Sequence, residues 1–207
     1  EIIGDQLEIF ILTGNESNNG KFAEIANEHG ISVFFGNDSN VPLRILELLN
    51  NKSYNFFIGI DGDDILCAPE GMRKVYDSMV LGSKYVRTID YPFGMNSMGI
   101  CKNFLADALK GKEHRNLETG WGWIFDDSLC EEIGDQIKQD ERLRFTLDYP
   151  EDLLFFNNII SSKLDVYAST RDIIEFVIEN ELFLNNMFLN ELYWENFNSE
   201  KLSEMKG

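Results

Sequence analysis

The sequence predicts an α/β domain built on a mostly parallel sheet with helices on both faces. Three observations carry this. Short apolar runs alternate with segments of helical periodicity from Leu7 onward. Gly, Asn and Asp follow each early run, at Thr13-Gly14-Asn15, Gly36-Asn37-Asp38 and Asp61-Gly62-Asp63. Asn55–Ile60 is almost continuously apolar, as a strand buried on both faces should be.

The elements follow in order. Leu7–Leu12 reads as a strand. Phe22, Ile25 and Ala26 recur at helical spacing, and Gly30 closes that helix. Ile31–Phe35 is a second strand and Val41–Leu49 a second helix. Asn55–Ile60 is the third strand, with Asp61-Gly62-Asp63-Asp64 at its carboxyl end. Pro69 suits the first turn of a helix through Met79. Tyr85–Ile89 reads as a strand, Tyr91-Pro92-Phe93-Gly94 as a turn, and Met95–Ile100 as extended chain. Lys102–Leu109 is helical, ended by Gly111. Glu118–Trp123 is an aromatic, glycine-rich loop. Arg144–Leu147 reads as a short strand, and Pro150 opens a helix through about Ile160. Ile173, Ile174, Phe176, Val177 and Ile178 mark a tail of two or three amphipathic helices.

Composition narrows the function. The 207 residues suit one domain, with 43% hydrophobic residues to build a core. The formal net charge is -18, which should repel nucleic-acid phosphates and anionic lipid. Nucleic acid and membranes are therefore not expected partners, and a phosphate substrate needs a metal ion or local Lys and Arg. Cys67, Cys101 and Cys130 are widely spaced, which excludes a zinc site or disulfide framework and points to a reducing, cytoplasmic setting. No apolar run approaches the roughly 18 residues of a membrane span.

Two clusters can carry chemistry. Asp61, Asp63 and Asp64 gather negative charge at a strand end, which a divalent cation relieves; Mg²⁺ takes one or two carboxylates plus substrate phosphates. Gly62 permits the turn and a close ligand approach. The same residues could simply cap the next helix. In Asp148-Tyr149-Pro150-Glu151-Asp152 the proline and acids fit a helix start, and Asp148 is either an N-cap or a functional carboxylate. Parallel strands share one ligand-binding edge, so Asp63 and Asp148 should converge there. Tyr91–Gly99, with Gly94 and Asn96, and Glu118–Trp123 could form a sugar-binding wall or an aromatic mini-core. His29 and His114 read as surface residues.

Together these segments resemble the spore-coat-polysaccharide type of cytidylyltransferase, related to the CMP-sialate and CMP-KDO synthetases. The strongest match is Thr146-Leu147-Asp148-Tyr149-Pro150-Glu151-Asp152-Leu153, against a family pattern of Thr-(Leu/Val/Ile)-Asp-x-Pro-Glu-Asp-Leu. Ile60–Ile65 resembles its Gly-Asp-x-Pro strand end. Phe34–Asp38 with Val41 and Arg44 resembles its glycine-acidic stretch and Arg-containing helix. Tyr91–Gly94 resembles its Tyr-Pro-x-Gly turn, and Asp172–Trp194 its closing helices. The resemblance spans Leu7–Phe197. It implies a GT-A-like nucleotidyltransferase fold with C-terminal helices, over a single domain of residues 1–207. It implies CMP transfer from CTP to an acidic or related sugar, releasing pyrophosphate, for surface glycan synthesis, and leaves room for a homodimer. By that analogy Asp63 and Asp148 are catalytic and hold Mg²⁺, while Gly36, Arg44, Gly62, Gly94 and Asn96 contact nucleotide or substrate.

The chain departs from the family at Ile65, where Pro is usual, and at Ala68, where Asp is usual. The family's first strand and its glycine- and Arg-containing nucleotide loop have no counterpart here. The native protein is therefore expected to extend upstream of Glu1 by about 30 to 40 residues. Two other readings stand beside the transferase. One is a GT-A glycosyltransferase with Asp61-Gly62-Asp63 as its metal motif. The other is a non-catalytic binding or assembly domain of the same fold.

Overall fold

The structure, a computed structural model, describes residues 7–137, 140–162, 164–165 and 167–206. It is an α/β fold with a mixed sheet and helices on both sides. The chain forms two compact units: Glu1–Phe57 with Ile100–Leu129 and Asn196–Gly207, and Ile58–Gly99 with Cys130–Glu195. Strands β3 (Phe56–Gly59) and β5 (Met98–Cys101) and helix α7 (Leu189–Lys206) run across the division.

In the first unit, β1 (Phe10–Thr13) and β2 (Ser32–Phe35) pair in parallel, joined by α1 (Glu16–Glu28). Asn15 caps α1, its side chain accepting from Asn18 N. Helix α2 (Val41–Lys52) has Asn40 as its N-cap, accepting from Leu43 N at 2.8 Å, and Pro42 in its first turn. Its apolar stripe of Ile45, Leu48 and Leu49 is buried. Helix α4 (Lys102–Leu109) buries Leu105 and Leu109. The expected loop at Glu118–Trp123 contains a 3-10 turn, Trp121–Ile124. Trp121 meets Phe125 edge-on at 5.8 Å, and Phe104 stacks on Phe125 at 5.6 Å, so these rings form a local aromatic cluster.

In the second unit, helix α3 (Pro69–Val80) buries Gly71, Val75 and Met79, one stripe at successive i,i+4 positions. It packs on β4 (Tyr85–Ile89). The four-stranded sheet has the order β3-β5-β4-β6, and β4 pairs in parallel with β6 (Glu131–Gly134). Helix α5 (Pro150–Ile160) presses Phe155, Phe156 and Ile159 into the core beside Tyr91, Met95 and Phe145. Phe155 meets Phe145 and Phe156 edge-on, each at 5.3 Å, the geometry that ring quadrupoles favour. Helix α6 (Thr170–Glu179) starts on a Ser169–Asp172 capping box and adds Ile174 and Val177 to that core.

One expected strand is absent. Arg144–Leu147 is extended but forms only an isolated bridge, Phe93 to Arg144. Its backbone donors go to two different loops: Phe145 N–H to Phe93 O at 2.8 Å, and Leu147 N–H to Asp63 O at 3.1 Å. No continuous ladder can form when neighbouring donors diverge in this way. Among the described residues, no helix is long and apolar enough to cross a membrane. Among the described residues, none of the three cysteines forms a disulfide.

Candidate functional site

The second unit brings the two acidic clusters together. Asp61–Asp64 and Cys67 form successive turns, with Asp64 N–H on Asp61 O at 3.1 Å and Cys67 N–H on Asp64 O at 3.0 Å. These acids do not cap α3: its N-cap is Ala68, which makes no side-chain cap bond. The capping account of Asp61, Asp63 and Asp64 therefore fails, and their charge is left facing Asp148. The backbone bond from Leu147 to Asp63 fastens the two segments to each other.

Electrostatics show the same convergence. Asp64 is pushed up to about 7, by burial first, then by the charges of Asp61 and Asp63; a hydrogen bond from Thr146 opposes this and Asp148 adds to it. Asp61 is raised by lost hydration and by Asp63. Asp148 is raised by burial, against the pull of Arg144, with Asp63 adding repulsion. Carboxyls that disfavour one another's ionisation mark a place where a cation is welcome.

Asp148 is held from behind. The Arg144 guanidinium is fully buried and donates Nη2 to Asp148 Oδ2 at 2.5 Å. The same guanidinium donates Nε to Asp152 Oδ1 at 2.9 Å and Nη2 to Asp152 Oδ2 at 3.1 Å. Asp152 also accepts the backbone N–H groups of Asp148 and Tyr149, both at 3.0 Å, and Asn186 Nδ2 at 2.9 Å. Tyr149, not Asp148, is the N-cap position of α5. Arg144 Nη1 has no hydrogen-bond partner among the described residues. The guanidinium instead lies over the rings of Tyr193, Phe93 and Tyr149, at 4.8, 5.4 and 5.5 Å. Thr146 Oγ1 donates to Asp148 Oδ2 at 3.2 Å. The Asp148 side chain keeps 26% of its exposure, so the ion pair does not seal it from solvent.

The other expected residues are placed as follows. A Cβ at Gly62 would meet nothing within 4 Å, so that backbone is open to close approach. Gly94 has φ +86°, and a Cβ there would lie 2.3 Å from the Phe145 carbonyl, so glycine is required to seat the Arg144–Asp148 segment. Asn96 donates Nδ2 to Pro92 O at 3.1 Å and accepts from Thr88 Oγ1 at 3.2 Å, bracing the 91–97 turn. Gly36 and Arg44 belong to the first unit. There Arg44 donates to Asn37 O, Asp38 O and Glu118 Oε1 at 2.7, 2.9 and 3.1 Å, and Gly36 packs against the Arg44 stem. Tyr91–Gly99 and Glu118–Trp123, the two stretches of the expected sugar wall, fall in different units.

The sequence reading gave no site role to Arg144, Asn186 or Tyr193, and Thr146 and Asp152 entered it only as part of the Thr146–Leu153 motif and, for Asp152, as helix-start chemistry. Arg144 sits four residues before Asp148, a spacing that could have flagged it. Nothing local pointed to Asn186 or Tyr193.

Among the described residues, no group of three or more His, Cys, Asp or Glu side chains is placed to hold a metal ion by itself. The arrangement instead offers two carboxylates, which suits an ion that completes its shell with phosphate and water.

No protein-family model matches the chain, and no curated protein matches it in sequence. Among solved structures it is similar to a cytidylyltransferase from Leptospira borgpetersenii serovar Hardjo-bovis (strain JB197), with a TM-score of 0.75 and 20% identity, over 86% of this chain and 78% of that one. That likeness shows that the two chains share a fold.

Proposed function

We propose that the protein transfers CMP from CTP to a sugar hydroxyl, releasing pyrophosphate, in cytoplasmic steps that supply surface glycans. The observation that supports this is the meeting of Asp63 and Asp148 in one acidic cluster, on a fold shared with a solved cytidylyltransferase. In the reaction the sugar oxygen bonds to the α-phosphorus as the bond to pyrophosphate breaks, and the hydroxyl loses its proton. Charge builds on the phosphoryl and leaving oxygens, so catalysis rests on positioning and electrostatics.

The donors fit Mg²⁺, with hard carboxylate oxygens and raised carboxyls that a cation would relieve. Asp63 and Asp148 would hold the ion, which when bound supplies neutralisation of the triphosphate. Arg144 and Asp152 hold Asp148 in one orientation, and Thr146 fixes its Oδ2. Asp61 and Asp64 add negative charge that repels a bare triphosphate, which favours nucleotide arriving with its cation. The open face at Gly62 leaves room for a phosphate beside the backbone.

The test is a nucleotide panel with Mg²⁺ and a sugar mixture, following pyrophosphate release, with UDP-sugars alongside. Release that needs both CTP and sugar is expected. UDP release from a UDP-sugar, with none of the former, would replace this reading by the glycosyltransferase one.

A further inference from the structure

We propose that the C-terminal stretch from Asn186 to Tyr193 is a clamp that sets the metal affinity of the acidic cluster, with Tyr193 as a positioning residue that acts on Asp148 through the Arg144 guanidinium. The inference rests on the metal-dependent transferase reading and adds to it a residue that works at one remove from the ion. Clamp and cluster both belong to the second unit.

Asn186, Asn190 and Tyr193 stand at i, i+4 and i+7, the spacing of one helical stripe. Each reaches the stretch of chain that carries Asp148. Asn190 Nδ2 donates to Glu141 O at 2.9 Å. Asn186 Nδ2 donates to Arg144 O at 3.2 Å and to Asp152 Oδ1 at 2.9 Å. The Arg144 guanidinium lies 4.8 Å from the Tyr193 ring, nearer than to Phe93 or Tyr149. The stripe therefore grips residues 141, 144 and 152, on both sides of Asp148. Asn186 is fully buried, and a buried amide is costly unless it makes bonds of this kind. An apolar side chain would serve packing alone.

The link to Asp148 runs through one nitrogen. Arg144 Nη2 donates to Asp148 Oδ2 at 2.5 Å and to Asp152 Oδ2 at 3.1 Å, so a small rotation of the guanidinium disturbs the first bond. Asp152 fixes the guanidinium along its donor directions, through Nε and Nη2. The Tyr193 ring resists the rocking that those bonds leave free, and Phe93 braces that ring with centroids 4.8 Å apart. Tyr193 also lies in the field of the cluster. Burial first, then the charges of Asp148 and Asp63, push its hydroxyl well above the ordinary range, so the residue stays neutral beside the acids. Groups that orient a metal-holding side chain from behind change metal affinity by roughly 10- to 100-fold when they are lost.

The experiment titrates Mn²⁺, a hard cation that shares the oxygen preference of Mg²⁺, into the intact chain and reads binding by water-proton relaxation, without nucleotide or turnover. Tyr193→Met keeps apolar bulk but loses the ring, and should weaken Mn²⁺ about 10-fold. Tyr193→Phe keeps the ring and should bind as the parent does. Asn190→Ala removes a different tie of the same clamp and should weaken Mn²⁺ several-fold, which keeps the test open if Tyr193→Met does not fold. Val177→Ala, a core change on α6 outside the stripe, should lower the melting temperature and leave Mn²⁺ affinity unchanged. Circular dichroism checks the fold of each variant. Parent-like affinity in folded Tyr193→Met, an equal loss in Tyr193→Phe or Val177→Ala, or no Mn²⁺ binding by the parent at millimolar concentration overturns the proposal. A parent that binds Mn²⁺ through the clamp but releases no pyrophosphate from CTP and sugar would instead remove the transferase reading and leave the clamp standing.

Discussion

The buried Arg144 guanidinium holds Asp148 at 2.5 Å while gripping Asp152 with two further hydrogen bonds. Asp152 is fully buried, and it also ties down the backbone of residues 148 and 149. A buried ion pair of this kind is costly to break, because the survivor is left charged and unpaired. Asp152→Ala should therefore destabilise the protein by about 3–5 kcal/mol in chemical denaturation. Arg144→Lys keeps the charge but lacks the planar fork, and should also lose stability. A change within experimental error for both variants would show that the network does not support the fold.

The two site glycines should behave in opposite ways. Gly94→Ala forces a Cβ into the Phe145 carbonyl at a positive φ, and should cost more than about 1 kcal/mol. Gly62→Ala meets open space and should stay within about 0.5 kcal/mol of the parent. If phosphate approaches the backbone at residue 62, that variant should still raise the KM for CTP. Denaturation midpoints and steady-state kinetics measure the two effects independently.

Much of this was legible in sequence where local chemistry punctuates the chain. Pro69 and Pro150 open α3 and α5 at the expected residues, and β4 and α4 have the expected bounds. The pairing of Asp63 with Asp148 was legible because each follows extended chain at the edge where parallel strands end. The support behind Asp148 was not. Asn186 lies far along the chain, and Asp152 looks like any acid in a first helical turn. Strand β6 escaped notice because it is an edge strand that starts on two exposed glutamates, the pattern that protects edges from further pairing. Arg144–Leu147 looked like a strand because extended chain has the same alternation whether its partners form a ladder or two separate loops.

Asp64 should leave a mark on stability. Its carboxyl is pushed up to about 7 in the fold, against an ordinary value of 3.8, so the folded state holds a proton that the unfolded chain releases. The stabilisation is full below about 4 and is lost as pH rises through about 7. The melting temperature of the parent relative to Asp64→Asn should therefore fall across that window. Asp61 and Asp148 are raised too and act in the same direction. Added Mg²⁺ should recover stability at the upper end, since it favours the ionised carboxylates. A parent-minus-variant difference that is flat, or that rises with pH, would contradict the assignment.

Asp63→Asn and Asp148→Asn should separate chemistry from folding. Both remove a carboxylate that the proposed reaction needs, and each should lower turnover by ~100-fold or more, as losing one electrostatic stabiliser does elsewhere. Their effects on stability should differ. Asp63 faces Asp61, Asp64 and Asp148, so neutralising it removes repulsion and should leave the fold as stable or more so. Asp148 repels Asp63 as well, but it also partners a buried cation. Asp148→Asn weakens that partnership, yet Arg144 keeps its two bonds to Asp152, so the cost should be modest and smaller than that of Asp152→Ala. Turnover and denaturation measured on the three variants give the ordering. Full activity in Asp63→Asn would remove the shared-carboxylate mechanism, and a collapse of Asp148→Asn equal to that of Asp152→Ala would make Asp148 a structural residue before a catalytic one.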